Sequence, residues 1–232
     1  MMLASASAEE LLGLDDHEAW ADPAAHPVWT AVTSGQASPG TVRGLVLALY
    51  PVFTGQARYM LAGKVTRLQP DDGQEIFADL HRALTVADAD ADAGWARAAE
   101  ALGLTAAQLA AAAARPPAEA ADLVAVAREH GLRSAHEGAG VAWVLDRRLP
   151  LLLGQLADAL AGYYGVADGA LSHFRYRAAE ADAAAARLAR LTERYLQDPW
   201  QVYEARRARR AAAASASAAR YRKWLSAPSA TP

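Results

Sequence analysis

Residues 26–50, HPVWTAVTSGQASPGTVRGLVLALY, place a helix stop and a helix start side by side. Gly35 follows a segment with helical apolar spacing, and glycine is the residue that most often ends a helix in the left-handed conformation. Ser38 followed by Pro39 is the pair favoured at the N-cap and first position of a helix. We therefore predict a short helix that ends before Gly35 and a long helix that begins at Ser38 and reaches about Arg67.

The rest of the chain also favours helices, because alanine, leucine and arginine dominate while isoleucine and threonine are sparse. Capping residues, glycines and prolines mark the boundaries. The predicted helices are 7–20, 23–34, 38–67, 70–88, 95–102, 105–115, 119–130, 134–160, 168–197 and 199–225. Since no repeat or linker interrupts them, we expect one domain over residues 1–226 and a disordered tail, 227–232.

Two of these helices contain an interior proline. Pro51 cannot donate to the carbonyl of Leu47, and Pro150 cannot donate to that of Asp146. Each helix should bend there. The bends are either packing kinks or two walls of one pocket, and the sequence leaves both interpretations open. The apolar residues around them recur at the spacing of a buried helix face: Leu45, Leu49, Val52, Leu149, Leu152, Leu153, Leu156 and Leu160.

Composition excludes several classes of protein. The chain has 232 residues, 53% of them hydrophobic, a formal net charge of −3 and no cysteine. This composition excludes disulfides and cysteine nucleophiles and predicts no general affinity for nucleic acid or anionic lipid. No uninterrupted run of 18 apolar residues occurs, so no membrane span is expected. Glu9 and Glu10, with no basic segment before them, argue against a secretory signal and favour a cytoplasmic location.

The acidic and histidine motifs do not form a recognisable metal site. In Asp88–Gly94 aspartate alternates with alanine, but a calcium loop counted from Asp88 needs its glycine at Ala93. An acidic helix end or loop is the simpler interpretation. The histidines show no Glu-x-x-His or His-x-x-x-His spacing, which removes the usual di-iron and zinc signatures. We interpret the arginines of the last helix as a solvated face.

Four short motifs follow one another in a recognisable order. They are His26–Tyr50, then Asp88-Ala89-Asp90 with Trp95 and Gly103-Leu104, then Val141–Pro150, then Tyr164-Gly165 with His173-Phe174-Arg175-Tyr176-Arg177. Together, over roughly residues 23–190, they resemble the heme-oxygenase-like superfamily that includes TenA and PqqC.

The resemblance implies an all-α, heme-oxygenase-like bundle of about seven to eight helices with a ligand pocket between them. His26, Tyr50 and Arg177 match positions that line the pocket in PqqC-like proteins. Ala89 replaces an expected histidine, and His173 replaces an expected tyrosine. Because the basic quinone-binding pocket is largely missing, synthesis of that quinone cofactor is not expected.

The resemblance also argues against a bound cofactor. The di-iron branch needs His-x-x-x-Asp-x-x-His on the late helix, where this chain has Arg177, Ala181 and Ala184. Arg147 and Arg148 stand in the helix that is glycine-rich in classical heme oxygenase. The thiaminase reaction of TenA needs a cysteine nucleophile. We therefore expect no metal, no heme and no organic cofactor.

The sequence favours a metabolic enzyme that oxidises or cyclises a small organic substrate. His26 would act as a base, since imidazole titrates near neutral pH, and Arg177 would hold a carboxylate or enolate oxygen. Asp146 and Arg177 form either a catalytic pair or an ion pair. The predicted catalytic residues are His26, Tyr50, Asp146 and Arg177, and the predicted substrate-binding residues are His173, Tyr176 and Arg147.

Two other functions remain open. One is a non-catalytic protein that binds a metabolite or a partner and has lost its active site. The other is a heme-oxygenase-like metal oxidase with an atypical carboxylate-rich site. A homodimer is expected from the resemblance and from the apolar residues of the last helix, Trp200, Tyr203, Tyr221 and Trp224.

Overall fold

The computed structural model describes residues 7–13, 26–65, 89–116 and 118–216. These ranges form an all-α bundle, as predicted, and none of their helices is long and apolar enough to span a membrane. The helices are α1 Ala8–Leu12, α2 Pro27–Thr33, α3 Pro39–Val65, α4 Ala89–Ala101, α5 Ala106–Ala114, α6 Ala118–Arg133, α7 Ala135–Tyr164, α8 Ser172–Ala179, α9 Ala181–Tyr195 and α10 Pro199–Ala216. A 3-10 turn, Asp168–Leu171, joins α7 to α8.

Capping at the helix starts follows the local sequence. Ser7 and Glu10 exchange side-chain to backbone hydrogen bonds across the first turn of α1. Thr105 and Gln108 form the same capping box at α5, and the hydroxyl of Ser134 caps α7. Each cap satisfies N–H groups that have no partner inside the helix. The predicted starts of these three helices are therefore confirmed.

Glycine has two uses in this fold, and only the first was predictable from the sequence. Gly35 and Gly103 end helices in the left-handed conformation, as predicted, with φ of 74° and 77°. Gly165, with a φ of 71°, ends α7 in the same way, but four residues after the predicted end at Leu160. Gly94 and Gly131 instead lie inside α4 and α6, so the helix boundaries predicted there are wrong. At Gly94 the physical reason is packing, because a Cβ there would overlap the side chain of His173. Gly131 makes an ordinary contact with α7, with its carbonyl oxygen 3.6 Å from the position of a Cβ on Gly138.

Three further boundaries differ from the prediction. α1 ends before Gly13, which adopts a φ of 67°, rather than continuing for two more turns. α2 begins at Pro27 and not at Pro23, because His26 occupies the N-cap. The single late helix predicted from residue 168 divides into the 3-10 turn, α8 and α9, with the last break at Glu180. Nothing in the local sequence marks that break.

α7 is the central helix and packs against α2, α3, α6, α8, α9 and α10. Its contact with α10 is backbone to backbone, since a Cβ on Gly140 would overlap the carbonyl of Ala205 and lie 3.1 Å from the amide nitrogen of Arg209. On the facing side of α10, Ala205, Ala208 and Ala212 are fully buried. Small residues on both helices therefore allow the two axes to approach closely.

Arginines of α10 hold the C-terminal end of α1. Arg206 donates from Nε to the carbonyl of Leu11 at 2.8 Å and from Nη2 to that of Glu10 at 2.7 Å. Arg209 donates to the carbonyl of Gly13 at 3.3 Å. These carbonyls belong to a helix end, where no intrahelical donor is available. The prediction of a solvated arginine face is therefore wrong for these two residues.

Substitution of Gly140 by alanine tests the α7–α10 contact. Gly140→Ala should lower the free energy of unfolding by roughly 1–3 kcal/mol, because the added methyl group forces the backbones apart. Gly162→Ala is the matched control on the same helix, where an added Cβ has nothing within 4 Å. It should be neutral or stabilise by up to about 1 kcal/mol, since alanine is the better helix former. Urea unfolding followed by circular dichroism measures both, and equal effects would contradict the close contact.

Candidate functional site

Four aromatic rings and an imidazole form a continuous group between α3, α4 and α8, which we call the Trp95 cluster. Its members are Tyr50, Phe53, Trp95, His173 and Phe174. The ring centroid of Trp95 lies 4.5 Å from that of Phe174 and 5.6 Å from that of Phe53. Tyr50 meets Trp95 edge-on at 6.2 Å, and His173 meets Phe174 at 6.3 Å. Trp95, His173 and Phe174 are buried, whereas Tyr50 and Phe53 are half-buried.

The interior proline of α3 lies beside this cluster, between Tyr50 and Phe53. Pro51 is buried within the helix and leaves the carbonyl of Leu47 without its usual donor. One turn later, the hydroxyl of Thr54 donates to the carbonyl of Tyr50 at 2.7 Å. Such a bond competes with the helical ladder and favours bending. The turn of α3 that contains Pro51 therefore carries two rings of the cluster.

A glycine positions His173. Gly94 directly precedes Trp95 on α4, and the side chain of His173 occupies the space that a Cβ on Gly94 would fill. His173 is 5% exposed and precedes the ring of Phe174 on α8. The absence of a side chain at Gly94 therefore brings the imidazole against α4. Two predicted site residues, Tyr50 and His173, belong to the same cluster.

An arginine bracket fixes the start of α8 against α7. Arg175 donates to Asp158 of α7 at 2.7 Å and to Asp168 of the 3-10 turn at 2.8 Å. The hydrogen bond with Asp168, and then that with Asp158, raises the pKa of Arg175 above its usual value. The guanidinium therefore stays charged and holds the turn that precedes His173 and Phe174.

His26 has a structural task that the sequence did not reveal. It is 4% exposed, and its Nδ1 accepts the backbone N–H of Val28 at 3.1 Å as the N-cap of α2. An Nδ1 that accepts a hydrogen bond carries no proton, so the neutral ring has its proton on Nε2. In this tautomer Nε2 is a donor, and the role of base suggested by the sequence would require His26 to break the cap.

The remaining predicted site residues lie on α7 and α8. Asp146 and Arg147 are in α7, and their side chains lie outside the part of the chain that the structure describes. The predicted pairing of Asp146 with Arg177 lies outside it for the same reason. Tyr176 is 41% exposed. Arg177 is half-buried and follows His173 by four residues, so the two share a face of α8.

Other potential sites in the described ranges are weaker. These ranges contain no group of three or more histidine, aspartate or glutamate side chains that could hold a metal ion. A shallow, open groove of about 700 Å³ runs along α6. Its lining residues are Pro116, Ala121, Val124, Ala125, Arg128, Glu129 and Arg133. None of the predicted site residues lies there, and we assign no function to it.

A buried polar cluster where α6, α7 and α10 meet was missed from the sequence. Glu137 is fully buried, and its carboxylate contacts His130 and accepts a hydrogen bond from Arg207 at 3.2 Å. Arg133 lies 3.7 Å from the same carboxylate. The sequence did contain a signal for Glu137. It follows the N-cap Ser134 by three residues and so lies in the first turn of α7, where a glutamate interacts favourably with the helix dipole. Since two arginines and a histidine from α6 and α10 surround this carboxylate, we interpret it as a structural link between helices.

The geometry can be compared with known proteins. No protein-family model and no curated protein sequence matches this chain. Among solved structures, a TenA homologue from P. horikoshii OT3 is similar, with a TM-score of 0.66 at 14% sequence identity, covering 91% of this chain and 95% of that one. A TenA homologue from Pseudomonas syringae pv. tomato is also similar, with a TM-score of 0.65 at 16% sequence identity. The match covers 90% of this chain and 89% of the homologue. The chain therefore has the TenA-like, heme-oxygenase-like fold, and the resemblance found in the sequence is confirmed at that level.

Two glutamates that share one arginine provide a test of the buried cluster. Glu137→Ala should lower the free energy of unfolding by roughly 3–5 kcal/mol, because it leaves the buried His130 and the arginines without their anion. Glu129 pairs with the same Arg133 at 2.7 Å, but both side chains are about half exposed. Glu129→Ala should therefore change stability by less than about 1 kcal/mol. Chemical denaturation of both variants measures this difference, and similar losses would show that Glu137 is not the buried link.

Proposed function

We propose that the protein is a cytoplasmic enzyme that binds a small organic molecule at the Trp95 cluster and oxidises or cyclises it without a metal or organic cofactor. The observation that carries the proposal is the junction of Tyr50 and His173 with buried rings at the interior proline of α3. Sites for small molecules are mostly apolar and contain a few placed polar groups. The TenA-like fold supports this proposal as an analogy, since fold alone does not define a reaction.

Each polar residue around the cluster would have its own role in binding or reaction. The hydroxyl of Tyr50 and the imidazole of His173 would orient the substrate, and Tyr176 and Arg147 would be further substrate contacts. Arg177, on the same face of α8 as His173, would hold a carboxylate or a developing enolate oxygen. Asp146 and the Nε2–H of His26 would be the remaining polar groups of the proposed catalytic residues. Oxidation would use dioxygen as the electron acceptor, whereas ring formation needs proton transfer alone.

Incubation with a small-molecule extract distinguishes catalysis from binding. The purified protein is mixed with the extract in air and under nitrogen, and mass spectrometry compares compounds that are consumed, formed or retained. Conversion only in air supports oxidation, and conversion in both atmospheres supports ring formation. A compound retained without conversion would favour the non-catalytic alternative. Stoichiometric iron or manganese in the same preparation would favour the metal oxidase.

Arg177→Ala separates a substrate contact from an ion pair. If Arg177 holds an anionic oxygen of the substrate, the variant should lose about tenfold to a hundredfold in affinity or turnover for the compound so identified. Its stability should change by less than about 1 kcal/mol. The control is Arg190→Ala, an exposed position on α9. A loss of roughly 3–5 kcal/mol in stability would instead identify Arg177 as one partner of a buried ion pair.

We also propose that the protein is a homodimer that buries the exposed aromatic pair of α10. Trp200 and Tyr203 are 64% and 56% exposed, and their rings stack with centroids 5.6 Å apart. Exposed neighbouring aromatic rings are enriched at protein interfaces. Tyr221 and Trp224, the other two apolar residues expected to contribute to the dimer, lie outside the described residues.

Light scattering tests the dimer. The full chain should have twice the mass of the 24.5 kDa protomer. Trp200→Glu combined with Tyr203→Glu should weaken association by at least about tenfold, since a charge would be buried in an apolar contact. Ala186→Glu, at an exposed position of α9, is the control and should remain dimeric. A wild-type mass of one protomer at micromolar concentration would contradict the proposal.

A further inference from the structure

A histidine–glutamate pair joins the first turn of α7 to α10. Nε2 of His136 contacts Oε2 of Glu204. The two side chains are only 21% and 17% exposed, so water screens their charges poorly. An anionic Glu204 therefore depends on the imidazole for compensation, and the pair is neutral as a whole only when the ring carries a proton.

Glu204 lies on the surface of α10 that carries the exposed aromatic pair. It follows Trp200 by four residues, which makes the two side chains neighbours on the helix surface. Trp200 and Tyr203 are both more than half exposed. In a two-fold dimer the same patch meets itself, so each copy brings its own Glu204 to the contact. Burial of the aromatic pairs therefore also brings the two carboxylates toward each other.

The remaining charged groups of this junction form a separate set centred on Glu137 of α7. Its other members are His130, Glu129 and Arg133 of α6 and Arg207 of α10. Among the described charged side chains, Glu204 is the one that contacts the ring of His136. The protonation state of His136 therefore decides whether the charge of Glu204 is neutralised.

We propose that the His136–Glu204 pair makes the association of two copies of this chain pH-dependent, with protonated His136 as the associating form. A neutral ring leaves one uncompensated carboxylate per copy at the contact, and like charges across an interface oppose association. Free imidazole titrates near pH 6.5, so the affinity is highest below this range and falls as the pH rises through it. This inference rests on the dimer of the proposed function and adds its regulation.

Sedimentation equilibrium of the full-length protein at about pH 5.5 and about pH 8.5 tests the proposal, at one ionic strength. The dissociation constant of the wild-type dimer should be at least about tenfold larger at the higher pH. Circular dichroism at both values checks that the helices persist, since the change should affect association and not folding.

Two substitutions change the pair in opposite ways. His136→Gln keeps a side-chain N–H for Glu204 but does not titrate, so at both pH values it should associate as weakly as the wild-type protein does at about pH 8.5. Glu204→Gln removes the repelling carboxylates. At about pH 8.5 it should associate at least about tenfold more tightly than the wild-type protein.

His130→Gln is the control, because this second imidazole of the junction contacts Glu137 and not Glu204. It should keep the wild-type difference between the two pH values. If it does not fold, the opposite effects of His136→Gln and Glu204→Gln remain a sufficient test.

The outcomes separate this inference from the dimer itself. A wild-type dimer with equal affinity at both pH values would overturn the inference and leave the dimer standing. A pH dependence that survives in His136→Gln would assign it to another group and overturn the role of this pair. A protein that remains monomeric at both pH values would contradict the proposed dimer and, with it, this inference.

Discussion

The close approach of Gly140 to the carbonyl of Ala205 is the contact on which the bundle depends. No side chain separates α7 from α10 at this point, so the position of one helix fixes that of the other. The polar contacts of α10 follow from it. Arg207 reaches the buried Glu137 at the start of α7, and Arg206 reaches the end of α1. A glycine, through its small size alone, thus determines where two arginines of α10 find their partners.

The Trp95 cluster uses the same principle at another helix junction. Gly94 allows His173 to pack onto α4, and this brings the first turn of α8 against the ring of Trp95. The bracket around Arg175 holds that turn from the other side. The candidate site is therefore built on helices whose positions are fixed by local packing, and only Tyr50 and Phe53 reach its half-buried edge.

Local chemistry explains which features were predictable from the sequence. Capping at Thr105 and Ser134 depends on residues within one turn, so the sequence showed it directly. The class of fold followed from the order of several such local motifs. Gly94 was misread as a boundary because the residue that requires its small size, His173, is distant in sequence. The N-cap role of His26 was missed because histidine is not among the residues usually found at that position.

The hydrogen bonds from Arg206 to α1 have a consequence for the order of folding. They join residues that are 195 and 196 positions apart in the chain. During synthesis α1 leaves the ribosome long before α10 exists, so its last carbonyls stay with water until most of the bundle has been made. Contacts of such separation slow folding, because a long segment must be closed before they are gained. These bonds of α1 therefore cannot form before α10 has been made, although α1 itself is translated far earlier.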